Sequence, residues 1–267
     1  MNKVVLITGA SSGIGKSSAE YLSAKGLSVY GTSRRPDKYP IPENYSLLAL
    51  DINKEKSIIN IVKKIIEKEK KIDILINNAG VGITGPAEEI NINAMQENFN
   101  TNFFGPVRLI QEILPSMRIN KTGTIINITS IAGYMGLPFR GPYSASKAAM
   151  EIFTESIRME VKRFGISVTT LAPGEYATNI ASRRYHSPVN EGAYEISYKE
   201  SLDKMNDHVK SGNNPNEVAK FIFKIINKQS PNVHYRVGAW FQKSSIFLKK
   251  ILPDFLYEKI LMKFYNL

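Results

Sequence analysis

Lys3-Val4-Val5-Leu6-Ile7-Thr8-Gly9-Ala10-Ser11-Ser12-Gly13-Ile14-Gly15 is the stretch that decides the fold. Lys3 to Ile7 is a short, largely β-branched apolar run, which predicts a buried strand. Thr8-Gly9 ends it, and a helical pattern runs from Ile14 to about Lys25. Strand, glycine turn and helix make the first half of a βαβ unit. The glycines allow a ligand to approach the backbone, and the helix start offers free N–H groups to an anion. Gly9, Ser11, Ser12, Gly13, Ile14 and Gly15 are therefore the candidate residues for the pyrophosphate of a dinucleotide.

The pattern repeats outward from there. Leu27 to Thr32 reads as a second strand and runs into Ser33-Arg34-Arg35. An acid at this strand end would bind a ribose 2′-hydroxyl, whereas an arginine accommodates a 2′-phosphate, so Arg34 favours NADP over NAD. Tyr45 to Leu50 is a third strand, ending in Asp51-Ile52, and a helix follows from Asn53 to Lys70. Ile72 to Ile76 is a fourth strand, closed by Asn77-Asn78-Ala79-Gly80. Ile90 to Met117 reads as helix with a break near Pro106 and carries Asn102. Thr124 to Thr129 is a fifth strand leading into Ser130, Tyr143 to about Phe164 a helix, and Ile166 to Leu171 a sixth strand before Pro173-Gly174. This alternation predicts an α/β fold, a doubly wound parallel sheet with helices on both faces.

Regularity fades between Glu175 and Gly212, where Tyr176, Tyr185, Tyr194 and Tyr198 stand among polar residues; a substrate loop is expected there. Pro215 to Asn227 is again helical, and Val233 to Val237 is a last strand. No linker or repeat divides the chain, so residues 1–267 read as one domain.

Composition narrows the function classes. Of the 267 residues, 43% are apolar, with no uninterrupted apolar run long enough to span a bilayer. The apolar start is too short for a signal peptide and passes straight into the glycine turn. The absence of cysteine excludes thiol nucleophiles and disulfides and fits a cytoplasmic setting. Three separated histidines, His186, His208 and His234, argue against a histidine metal site. The formal charge of +11 comes from dispersed lysines without a nucleic-acid motif, so no nucleic-acid partner is expected.

The candidate chemistry lies in Gly141-Pro142-Tyr143-Ser144-Ala145-Ser146-Lys147. Tyr143 and Lys147 are one helical turn apart and share a face. A phenol with an ordinary pKa of about 10 is a poor acid or base at neutral pH. A neighbouring ammonium favours its ionised form. Ser130 lies at the carboxyl end of a strand, where ligands of open α/β sheets bind.

Taken together, Thr8-Gly9-x-x-x-Gly13-x-Gly15, Asp51, Asn77-Asn78-Ala79-Gly80, Asn102, Ser130, Tyr143-x-x-x-Lys147 and Pro173-Gly174 with Thr178 resemble the short-chain dehydrogenase/reductase family, in its short single-domain branch. The resemblance implies a Rossmann-like oxidoreductase that uses NADP, less readily NAD, to interconvert a carbonyl and a secondary alcohol. It implies Tyr143 as general acid and base, Lys147 as stabiliser of the phenolate and holder of the nicotinamide ribose, and Ser130 as donor to the substrate oxygen. Asn102 would anchor a water chain that resupplies the proton. Asp51 and Ile52 would lie at the adenine; Asn78, Ala79, Gly80, Pro173, Gly174 and Thr178 would line the cofactor site. Homodimers or homotetramers are common in the family. A catalytically idle NADP-binding sensor is the competing reading.

Met135, Leu137 and Tyr176 are candidate substrate contacts beside Ser130 and Tyr143. With Ile131, Tyr134 and Phe139 they favour a lipophilic substrate, and Gly136-Leu137-Pro138-Phe139 resembles the hydroxysteroid dehydrogenase group. Residues 241–267 form a basic amphipathic tail that Pro253 should split into two helices. Such a tail is expected to pack on the protein, over the cleft or on another subunit; peripheral membrane contact is the alternative.

Overall fold

A computed structural model describes residues 2–178, 183–188, 192–210 and 212–267, without the side chains of 208–210. Residues 179–182, 189–191 and 211, and the side chain of His208, thus lie outside the described residues. The first strand, β1 (Val4–Ile7), leads through the glycine turn into α1 (Gly13–Ala24). β2 (Ser28–Ser33), β3 (Ser46–Ala49), α2 (Glu55–Glu69) and β4 (Ile74–Asn77) follow, all within a few residues of the expected positions. After a short β5 (Ile83–Thr84) come α3 (Ile92–Phe99), a π turn at Asn100–Phe104 and α4 (Gly105–Ile119). β6 (Gly123–Ile128), α5 (Gly141–Val161) and β7 (Ile166–Pro173) complete the regular part.

Seven strands form one parallel sheet in the order β3-β2-β1-β4-β6-β7-β9, where β9 is His234–Val237. β4 returns to the far side of β1, so the order reverses between these two strands. Loops leaving β1 and β4 diverge there and open a crevice at their carboxyl ends.

Alternation along each strand feeds two cores. Val4, Leu6, Leu75, Ile125 and Val168 point to one face and meet α2, α4 and α5 through Ile61, Leu109, Ile113 and Ile157. Val5, Ile7, Ile76, Ile126 and Leu171 point to the other and meet Ala19 and Leu22 of α1. α7 (Asn216–Ile226) adds Val218, Ile222 and Ile225 to that face. Each such buried side chain stabilises the fold by roughly 1.5–3 kcal/mol, so the crevice rests on a well-packed platform.

Three features differ from expectation. The break in the helix pair is the π turn at Asn100–Phe104, ahead of Pro106, which occupies the first turn of α4 where its missing N–H costs nothing. Glu195–Lys210 is a helix, α6, inside the stretch read as irregular. Finally, β8 (Tyr185–His186) pairs in parallel with β5, with Ile83 opposite Tyr185, and ties the loop after β4 to the loop after β7. The tail forms two helices split at Pro253, α8 (Trp240–Ile251) and α9 (Asp254–Tyr265). No helix among the described residues is long and apolar enough to cross a membrane.

Candidate active site

The crevice is one end of a cleft of about 710 Å³ that runs from the glycine turn to the α8–α9 hairpin. At its outer end Gly9 (φ +70°) and Gly13 (φ +55°) adopt left-handed conformations that only glycine takes readily. Gly15 does not line the cleft. A Cβ there would stand 2.3 Å from the Gly9 carbonyl oxygen and 2.4 Å from Asn78 Nδ2, so glycine lets α1 seat against the turn. Thr8 Oγ1 accepts from the N–H groups of Asn78 and Ala79 at 2.9 Å each. Asn78 Nδ2 in turn donates to Thr8 O (2.9 Å) and Gly9 O (3.2 Å), so the ends of β1 and β4 are laced together. Thr178 lies over Gly13, with its Cγ2 3.1 Å from the Cβ position.

Ser11, Ser12, Ile14, Arg34, Asp51, Ile52, Ala79, Gly80, Pro173 and Gly174 also line the cleft. Arg34 and Arg35 are exposed at its edge, and Tyr39 closes over it, taking a hydrogen bond from Arg183 Nη2 at 3.1 Å. The Ser11 hydroxyl, with the nearby Arg183 and Arg35 charges, holds the Tyr39 phenol below its usual range despite some burial. Turn, helix start and flanking arginines offer an anion what it needs: N–H donors, room at the backbone and positive charge.

In the inner half, Tyr143 and Lys147 stand in the first turns of α5, with exposures of 6% and 5%. Lys147 Nζ donates to Ile128 O at 3.0 Å and lies 6.0 Å from the Tyr143 ring centroid. Burial pushes its ammonium down, against the opposing pull of Tyr143 and Glu151. Ser130, at the end of β6, caps a 3₁₀ turn by accepting from Ala132 N (3.2 Å) and lines the cleft beside Tyr143.

Asn102 does not line the cleft. Its Oδ1 accepts from Val81 N (2.9 Å) and its Nδ2 donates to Val81 O (3.0 Å) and Ser146 Oγ (3.1 Å), which locks the loop after β4 to α5. A Cβ at Gly80 would stand 3.2 Å from Asn102 Oδ1 and 3.4 Å from Lys147 Nζ. A side chain at position 80 would therefore crowd both groups.

Met135 and Leu137 line the inner cleft beside Ile131, whereas Tyr134 and Phe139 turn away from it. Tyr134 donates to Glu151 Oε2 (2.9 Å), and Phe139 packs on Tyr198 with ring centroids 5.3 Å apart. The Tyr176 ring borders the cleft, but its hydroxyl points to α7 and donates to Glu217 Oε2 at 3.1 Å. The hairpin closes the inner end: Ile246, Leu252, Tyr257 and Leu261 pack on Met135, whose sulfur accepts from Tyr257 Oη at 2.9 Å. Gln242 of α8 bonds Glu175 twice, at 2.9 and 3.3 Å.

Sequence reasoning missed Glu151, one turn beyond Lys147 and 4% exposed. It accepts from Thr129, from Thr170 Oγ1 (2.6 Å) and from Tyr134, and pairs with His234 Nδ1 at 2.7 Å. Nor does local spacing single out Arg140 and Arg184, which both line the cleft.

Comparison with known proteins decides the family. The family model described as "short chain dehydrogenase" matches residues 3–188. The chain belongs to the short-chain dehydrogenase/reductase family. Within that family it is 38% identical over 269 residues to a 3-ketodihydrosphingosine reductase of Bacteroides thetaiotaomicron, covering 98% of each chain. A short-chain dehydrogenase of Streptomyces avermitilis has the same fold at a TM-score of 0.85 with 29% identity, covering 100% of this chain and 97% of the other. A solved structure of ElxO with NADP bound aligns at a TM-score of 0.72 with 27% identity, over 89% of this chain and 97% of that one. The protein is thus an oxidoreductase of a nicotinamide-dependent family, and the glycine turn with its arginines fits such a nucleotide.

Proposed function

We propose that this chain, acting as one catalytic unit, uses NADP(H) to interconvert a ketone and a secondary alcohol on a long-chain lipophile, with Tyr143 as general acid and base. The observation that carries the reading is the buried Lys147 ammonium, one turn from a buried phenol in the wall of the cleft that also holds Ser130. A nicotinamide nucleotide held at the glycine turn would supply or accept the hydride. In reduction Tyr143 gives its proton to the carbonyl oxygen, and the Ser130 hydroxyl donates to the same oxygen. Lys147 stabilises the phenolate left behind. Asn102, which with Lys147 stands beside Gly80, would anchor the water chain that returns the proton. Arg34 would hold the 2′-phosphate, and Asp51 would lie at the adenine.

The lipid reading rests on the apolar inner wall and on a relative named for reducing a keto lipid. That name bears on the reacting ketone and leaves the polar end of this chain's substrate to its own residues. The idle-sensor alternative leaves the set of Ser130, Tyr143 and Lys147 without a purpose.

The test is NADPH oxidation with a panel of long-chain ketones. Tyr143→Phe should lower kcat by roughly 10³-fold, in the range of general acid–base contributions, and leave NADPH affinity unchanged. Turnover near wild type would sink the mechanism. Run with NADH, the wild type should show a kcat/KM lower by at least about tenfold, the worth of one charge-assisted phosphate contact; equal values would refute the NADP assignment.

A further inference from the structure

Arg184 is a charged side chain with 8% exposure, placed in the inner cleft by the β5–β8 pairing. Gly82 makes room for it: a Cβ there would stand 2.9 Å from Arg184 Cγ and 3.3 Å from its Nε. Its Nη1 is inaccessible to solvent and has no hydrogen-bond partner. No carboxylate of the described residues pairs with it. The groups that bear on its charge are Arg140 and the phenols of Tyr143, Tyr198 and Tyr265.

Arg140 comes from the other wall. The backbone turns at Phe139, a non-glycine residue at φ +57°, whose carbonyl accepts from Gly85 N at 2.9 Å. The next residue, Arg140, lies with its guanidinium carbon 5.3 Å from the Tyr143 ring centroid, and its charge opposes the burial that raises the Tyr265 phenol. Burial pushes the Arg184 guanidinium down, and the Arg140 charge adds to that push.

A buried, unpaired cation such as Arg184 is costly, and the nearby Arg140 charge makes it more so. Proteins keep such groups where an anion completes them, and a guanidinium fork fits a carboxylate or phosphate. Beyond the two arginines, Met135, Leu137, Leu248, Ile260 and Leu261 give the cleft an apolar stretch of wall. One end of the inner cleft therefore suits negative charge and the other an aliphatic chain, with Tyr143 at the join.

We propose that Arg140 and Arg184 form an anion subsite in the substrate half of the cleft, so that the substrate is a lipophile bearing a carboxylate or phosphate group near the reacting carbon. The proposal rests on the reading that the inner cleft receives the substrate, but its test does not use turnover. Full-length protein saturated with NADP⁺ is titrated calorimetrically with octanoate, octyl phosphate, octanol and octylamine. The wild type should bind octanoate or octyl phosphate at least about tenfold more tightly than octanol, and octylamine most weakly, as charge-assisted hydrogen bonds require. Whichever anion binds tighter distinguishes carboxylate from phosphate. Arg184→Gln and Arg140→Gln should each abolish that preference, with octanol affinity as the control that the cleft is intact. Arg140 is partly exposed, so its variant decides the matter if Arg184→Gln does not fold.

Equal affinity for octanol and octanoate in the wild type would overturn the subsite. So would an anion preference that survives both substitutions. A variant that shifts only the pH profile of ketone reduction, with the ligand preference intact, would assign the arginines to the Tyr143 phenolate instead and equally overturn it. Loss of ketone reduction with the anion preference intact would count against the proposed reaction and leave the subsite standing.

Discussion

The two ends of the cleft are built from different materials. At the glycine turn the walls are backbone: Gly9 and Gly13 in left-handed conformations, Thr8 and Asn78 stitching β1 to β4, and Gly15 pressed against the turn. At the hairpin end the walls are side chains, with Tyr257 and Leu261 laid on Met135 and Gln242 hooked to Glu175. A backbone wall recognises what is constant in a cofactor, and it tolerates no added atom. A side-chain wall can be recut without disturbing the sheet behind it, which suits the end that distinguishes substrates.

The sharpest way to break this contrast is Gly15→Ala. The added methyl would stand 2.3 Å from a backbone oxygen that cannot move without shifting the turn. Overpacking of this kind costs about 1–3 kcal/mol. NADPH affinity, followed by fluorescence titration, should fall by up to roughly 100-fold. Unchanged affinity would show that the turn is more pliant than the packing implies.

The backbone end was also the legible end. Val4 to Gly15 carries a strand pattern, a glycine turn and a helix pattern within a dozen residues, all local. Tyr143 and Lys147 are likewise local, one turn apart. α6 is hard to read because, among its described side chains, only Tyr198, Ser201 and Met205 are well buried, too narrow a stripe among polar neighbours to read as a helix face. Arg184 reaches the cleft through a pairing of Tyr185 with Ile83, and Glu151 meets His234 from another strand; neither partnership leaves a mark in local spacing. The amphipathic tail is expected first to pack on the protein, and Ile246, Leu252, Tyr257 and Leu261 do pack on Met135. Periodicity could not tell a cleft from a membrane surface.

Removing the hairpin, residues 240–267, tests the other half of the contrast. NADPH affinity should stay within about twofold, while KM for a lipophilic ketone should rise by roughly tenfold as Met135 and its neighbours lose their apolar cover. Loss of NADPH binding would mean that the two ends are one cooperative unit. More than half of the large apolar side chains exposed among the described residues lie in this hairpin, among them Trp240, Phe247 and Phe255, interspersed with Lys243, Lys249, Lys250, Lys259 and Lys263. We propose that this outer face touches anionic membranes. Sedimentation with phosphatidylserine-containing vesicles should pellet the full chain and leave the truncated one in solution; equal pelleting would refute the contact.

The smallest expected effect lies behind the chemistry, in the Glu151–His234 pair that links α5 to β9. His234 Nδ1 lies 2.7 Å from Glu151 and its Nε2 2.9 Å from Glu155. Hydrogen bonding to Glu151 raises the His234 pKa, outweighing burial. Burial alone would push the Glu151 carboxyl up, but hydrogen bonds from His234, Thr129, Thr170 and Tyr134 hold it below its usual range. The signs follow by linkage. The His234 contribution is complete below the unfolded histidine pKa of about 6.5 and fades as pH rises through the raised folded value. The Glu151 contribution is complete above the unfolded carboxyl pKa of about 4.3 and fades as pH falls through the lowered one. Wild-type Tm should therefore drop on the alkaline side between pH 6 and 9, by about 2–4 °C if the partly exposed imidazolium is worth about 1 kcal/mol. His234→Gln should remove that slope while leaving NADPH affinity intact, because the pair stands behind Lys147 and outside the cleft. Parallel Tm curves for the two proteins would show that His234 is neutral in the folded state and that the pair contributes no charge to α5.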